Sequence, residues 1–173
     1  MKVYIGRYPG SRSKKERKIS VSIHDWDTWD LFSTLSYVAL PALRKFREEL
    51  FGASLVDDED VPEELRSTSA PPKKNEWDTD ANHFKRWEWV LDEMIFAHAA
   101  TVGEIEEPSF VSIPEGADPW ESNEVEIGGE KLYQLTMRSW QVDEEKKAEW
   151  HKYHERVRNG FRLYGKYYAS LWQ

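Results

Sequence analysis

Residues 2–8 (KVYIGRY) and 18–24 (KISVSIH) alternate with period two, on either side of a basic, turn-rich stretch at 9–17 (PGSRSKKER). That alternation predicts two strands joined as a hairpin across a loop. The period then lengthens. DWDTW at 25–29 opens a helix, with Asp27 or Thr28 as N-cap, and apolar residues recur at Phe32, Leu35, Ala39, Leu43, Phe46 and Leu50. This three-four spacing marks one buried face. Pro41 should kink or split the helix, since proline lacks an amide hydrogen and crowds the preceding turn; Gly52 ends it.

An acidic loop (57–60) and a short helix with proline in its first turn (61–65) come next. Pro71-Pro72 keeps residues 66–80 irregular. A second helix is predicted over 80–102, capped by Asp78, Thr79 or Asp80, with Phe84, Trp87, Leu91, Met94, Ile95 and His98 as its core stripe. Trp89 and Phe96 lie off that stripe, which implies cover on two sides. Proline and glycine punctuate 103–140, leaving short strands at 110–113, 124–127 and 131–137, the last two joined by a Gly128-Gly129 turn. The final helix, 143–171, carries Trp150, Tyr153, Val157, Phe161, Tyr164, Tyr168 and Leu171 at three-four spacing. Gly160 and Gly165 inside it each cost about 1 kcal/mol against alanine, which points to close approach of another helix or a ligand. The sum is one α+β domain over 1–173: three long helices packed with a small antiparallel sheet, with loop 9–17 and segment 103–140 at the periphery.

Composition narrows the class. Apolar content is 39%, but nine Trp, eight Tyr and seven Phe supply large buried areas. No window approaches 18 consecutive apolar residues and no apolar leader opens the chain, so neither a membrane span nor a signal peptide is expected. With no cysteine there is no thiolate chemistry and no Cys-type zinc site. A cytoplasmic protein fits these features. The net charge of −8 is unevenly spread. Residues 1–18 hold seven Lys/Arg against Glu16, and residues 146–173 hold seven against Glu149 and Glu155, leaving the middle acidic. The basic ends either fold against that acidic middle or line an anion site. The acidic balance disfavours generic nucleic-acid binding.

Polar ligand-binding groups concentrate between residues 57 and 89. Arg66, Ser67, Thr68 and Ser69 resemble an anion cradle, a guanidinium beside three hydroxyls and loop amides; the alternative ties Arg66 to Glu63 or Glu64, with the hydroxyls serving the loop backbone. Arg86 and Arg162 are candidates for charge support, and Trp77 or Trp89 for stacking on a base. Asp78, Asp80 and His83 form the one candidate metal set, weighed against simple helix capping. The run at 57–60 lacks calcium-loop spacing, no HExxH or Ser-His-Asp pattern is legible, and no catalytic residue or cofactor is assigned.

Residues 57–96, 159–172, 2–8 and 22–30 (DDEDVPEELRSTSAPPKKNEWDTDANHFKRWEWVLDEMIF, NGFRLYGKYYASLW, KVYIGRY and SIHDWDTWD) resemble a family of small uncharacterised proteins from large tailed bacteriophages. The resemblance covers a little under half of the chain and implies expression in the host cytoplasm, with no activity attached. The leading expectation is a phage accessory (host-interaction or anti-defence) protein that sequesters a small phosphorylated ligand such as a nucleotide immune signal. A protein–protein inhibitor or adaptor of a host enzyme is the alternative, and a metal-assisted hydrolase the third. The glycine-bearing, aromatic last helix also suits a homo-oligomer seam.

Overall fold

The structure, a computed structural model, describes residues 1–7, 15–111, 118, 120–137 and 143–172; most of the basic loop and the end of the strand expected at 110–113 lie outside the described residues. Three long helices form: α1 (Leu31–Glu48), α2 (His83–Thr101) and α3 (Glu144–Tyr167). The strands make two separate antiparallel pairs instead of one sheet, β1 (Lys2–Ile5) with β2 (Ile19–Ser22) and β3 (Trp120–Ile127) with β4 (Glu130–Met137). The class is α+β. Two compact units result, one from Met1–Glu106 with Arg156–Gln173, the other from Glu107–Glu155.

In the first unit α2 is the central element. Trp87, Val90, Leu91, Met94 and Ala97 are buried, and so are Arg86, Glu93 and His98, so the helix is covered on several sides as its off-stripe aromatics imply. Leu43, Val56, Val61, Leu163 and Tyr167 close the core around it. The helix begins later than its acidic residues suggest. Asn82 stands at the N-cap, because Asp80 is taken by Arg86.

At α1 the sequence pattern and the packing diverge. Asp25–Thr28 is a separate 3-10 turn, and Asp30 caps the helix by accepting from the Ser33 amide (3.2 Å). Pro41 sits inside an unbroken helix; the carbonyl it leaves without a donor belongs to Tyr37, an exposed residue. The buried face runs through Ser36, Leu40 and Leu43, while Phe32 and Leu35, expected in the core, stay exposed.

The two glycines of α3 have opposite surroundings. A Cβ on Gly160 would sit 2.3 Å from the Glu93 carbonyl oxygen and 2.6 Å from Ala97 Cβ, so the backbones of α2 and α3 touch there. Gly165 faces open space, so of the two expected neighbours a packed helix is absent there. Arg156 forks onto buried Glu93 beside this crossing (Nε 2.9 Å, Nη2 2.7 Å) and lies 3.7 Å over the Phe96 ring.

The second unit holds the β3–β4 hairpin, turning at Gly128 (φ 65°) and Gly129 (φ 85°), the left-handed pair a two-residue hairpin turn requires. Within it Glu107 accepts from Trp150 Nε1 (2.6 Å) and pairs with His154 Nε2 (2.8 Å). These bonds hold the Glu107 carboxyl below its usual range.

Candidate functional site

Residues 57–69 fold as three short 3-10 turns, Asp58–Asp60, Glu63–Leu65 and Ser67–Ser69, laid across α2 and the end of α3. Asp60 is the hub. Its carboxylate, 2% exposed, accepts from Arg162 Nη1 (2.6 Å), Lys166 Nζ (2.6 Å) and Tyr167 Oη (2.6 Å). Burial alone would raise its pKa, but these three donors hold it below the ordinary carboxylate value. Tyr167 in turn accepts from the Asp57 amide (3.0 Å). Burial and the bond to Asp60 push its phenol up to about 12. Lys166 also reaches Asp57 (2.7 Å), and these bonds raise its pKa. Basic residues of the last helix thus fold against the acidic middle.

The predicted anion cradle is not assembled, for a simple reason: its donors are already used. Arg86 is buried and forks onto Asp80 (2.8 and 2.7 Å), with a third bond to the Leu65 carbonyl (3.2 Å). That guanidinium pulls Asp80 down to about 2. Ser67 donates its hydroxyl to Asp58 and its amide to the same carboxylate (2.8 Å); Ser69 donates to the Glu63 carbonyl (2.6 Å). Arg162 reaches Asp60 and Asn159 rather than the hydroxyl loop. Trp89 packs on the core, while Trp77 is 93% exposed. The hollow beside Ser67 is lined by Asp57, Asp58 and Glu59 as well as Arg86, a setting that repels phosphate. Arg66 is the exception. It is not tied to Glu63 or Glu64, and its buried Nε has no hydrogen-bond partner. Thr68 beside it is exposed.

The metal set is dispersed by the same bonds. Asp80 holds Arg86, Asp78 accepts from Asn75 (2.9 Å), and His83 Nε2 meets the Ala53 carbonyl (3.2 Å). Among the described residues no three His, Asp or Glu side chains converge on a metal position.

Two surfaces that the sequence reading passed over stand out instead. At the N-terminal end, Trp26 and Trp29 are 79% and 84% exposed with ring centroids 5.7 Å apart. Ile5, Ile19, Val21, Ile23, Leu31 and Tyr37 are exposed in the same region. Val3, Asp27, Thr34 and Tyr37 share one shallow depression, so the hairpin, the 3-10 turn and the start of α1 adjoin.

The second is a groove of about 570 Å³ between α1, α2 and α3, walled by Phe32, Leu35, Val38, Phe161, Tyr164 and Tyr168. Ser36 and His98 line it as its polar members apart from the tyrosine hydroxyls. Ser36 Oγ donates to the Phe32 carbonyl (2.9 Å) and lies 3.0 Å from His98 Nδ1, with which it shares a hydrogen bond. His98 is 4% exposed and its Nε2 has no partner. Burial lowers its pKa. The one signal in the sequence was His98, a polar residue within the predicted core stripe of the second helix.

No family model, no curated protein and no solved structure matches the chain.

Proposed function

We propose that the protein acts by binding a protein partner, as an inhibitor or adaptor, through the aromatic and aliphatic surface at its N-terminal end. The observation that carries this reading is the exposed Trp26–Trp29 pair among exposed aliphatic residues of the hairpin. Tryptophan dominates the energetics of protein interfaces, and chains that work alone seldom leave such a patch in water. The resemblance to a bacteriophage family makes the partner a host protein and the site of action the host cytoplasm. Support also comes from the arginines that would otherwise recommend an anion site: Arg86 is tied to Asp80 and Arg162 to Asp60 as structural pairs.

The test replaces Trp26 and Trp29, singly and together, by lysine. Both side chains are exposed, so each variant should keep its stability to within about 0.5 kcal/mol, while the partner that co-purifies with the wild-type chain from host extract is lost. Undiminished co-purification with the double variant would remove this surface from the function.

A second reading, sequestration of a small phosphorylated ligand such as a nucleotide, is favoured by one observation, the unpartnered guanidinium Nε of Arg66 beside exposed Thr68. Calorimetric titration with cyclic and linear nucleotides tests it. Binding that disappears in Arg66→Ala supports it; no binding, or binding indifferent to that change, removes it.

A further inference from the structure

Both hairpins lack strand neighbours. Each of the four strands pairs with one other, so among the described residues each hairpin presents two bare edges of backbone donors and acceptors. Every strand residue of β1 and β2 is exposed, and of β3 only Val125 is partly covered. A two-stranded hairpin is marginally stable in water and gains when further strands extend its ladder.

Charge decides what can extend them. Residues 1–18 carry seven Lys/Arg and one acid, while residues 104–130 carry nine Asp/Glu and no Lys or Arg. Among the described residues no carboxylate pairs with Lys2, Arg7 or Lys18, and no cation pairs with Glu121, Glu126 or Glu130; the second hairpin's own Lys131 takes Glu124 (2.6 Å). Two basic hairpins placed side by side repel each other, and so do two acidic ones. A basic and an acidic hairpin attract, so like pairing is discouraged where unlike pairing is favoured. One chain carries both halves of this match.

We infer that the protein associates with a second copy of itself, the acidic β3–β4 hairpin of each copy lying edge to edge with the basic β1–β2 hairpin of the other. Backbone hydrogen bonds across the join extend two-stranded ladders into four-stranded sheets. Glu121, Glu126 and Glu130 supply the countercharge for Lys2, Arg7 and Lys18. The exchange is reciprocal, so it closes on a two-fold axis and ends at the dimer. Strand edges and charge carry this contact, and it does not depend on the reading of the Trp26–Trp29 surface.

Sedimentation of the intact chain over a concentration series should show a monomer–dimer equilibrium that weakens as salt is raised. Two double variants reverse exposed charges whose side chains make no hydrogen bond among the described residues: Lys2→Glu with Lys18→Glu, and Glu121→Lys with Glu126→Lys. Each should weaken self-association by about a hundredfold. Mixing the two variants is the decisive arm. In the mixed dimer one join is wild type and the exchanged charges of the other match again, so it should form with nearly wild-type affinity. If either variant fails to fold by circular dichroism, Arg7→Glu and Glu130→Lys, at the hairpin ends, repeat the exchange. A wild-type chain that stays monomeric at every concentration would overturn the inference, whether the hairpins then stay bare or serve another protein. Self-association indifferent to both reversals, or folded variants that fail to pair on mixing, would overturn it as well.

Discussion

The same substitution, Gly→Ala, should have opposite signs five residues apart on α3. Both glycines lie inside the helix, and each alanine gains about 1 kcal/mol from restricting the unfolded chain and improving helix propensity. At Gly165 nothing lies within 4 Å of the new methyl, so that gain is kept. At Gly160 the methyl would stand 2.3 Å from the Glu93 carbonyl oxygen and 2.6 Å from Ala97 Cβ, both on a rigid helix that cannot yield as a flexible side chain would. Normal contact needs roughly 1 Å more, which means forcing α2 and α3 apart along a packed seam. Overpacking of this kind costs about 1–3 kcal/mol and often more, and separation would also stretch the Arg156–Glu93 fork. The net expectation is about 1–2 kcal/mol of destabilisation for Gly160→Ala and about 1 kcal/mol of stabilisation for Gly165→Ala. Urea denaturation at equal protein concentration reads both, and in a chain this size each kcal/mol moves Tm by about 2–4 °C. A rise in stability for Gly160→Ala would show that α2 and α3 do not meet at Glu93, and would undo the groove that their crossing helps to form.

Three further outcomes follow from the charge network. Tyr167→Phe removes a donor to buried Asp60 and the acceptor of the part-buried Asp57 amide, and should destabilise by about 1–3 kcal/mol in thermal melts. Tyrosine titration followed by ultraviolet absorbance should show a phenol ionising near 12 that this variant lacks. Asp80, with its folded pKa at about 2 against 3.8, contributes stability that is complete above pH 4 and lost as pH falls through 2; the slope is therefore steeper below pH 4 in wild type than in Asp80→Asn, with about 2 kcal/mol at stake. Arg66→Ala breaks no side-chain hydrogen bond among the described residues, so its stability in chemical denaturation should stay within about 0.5 kcal/mol of wild type.

Element type was legible wherever periodicity was strong. The three helices, the β3–β4 hairpin with its Gly128-Gly129 turn and the buried character of α2 all follow from spacing. Spacing says less about which face wins. On α1 both the 32–35–39 row and the 36–40–43 row recur at helical intervals; the second is buried because Ser36 satisfies its hydroxyl on Phe32 and His98, a pairing 62 residues apart that no local pattern reveals. The site residues failed for a related reason. Arg86, Arg162 and Ser67 are the right chemistry for an anion, but the acids that neutralise them, Asp80, Asp60 and Asp58, come from elsewhere in the same run and meet them only after folding. A residue list gives donors and acceptors without saying which have already found each other. Gly165 shows the converse, a helix glycine with no neighbour to explain it.

The saturation of the last helix by Asp57, Glu59 and Asp60 also shapes what an approaching molecule feels at a distance. Two basic segments in the sequence become one, because the charges of Arg162 and Lys166 are cancelled at close range and project little field into solvent. The stretch 1–18, with seven cations and one acid, then stands out against a chain whose net charge is −8. An acidic partner is turned toward the hairpin end before any contact forms, and a basic one is turned away from it. Orientation of this kind acts on encounter rather than on residence, so added salt slows association while leaving the lifetime of a formed complex nearly unchanged.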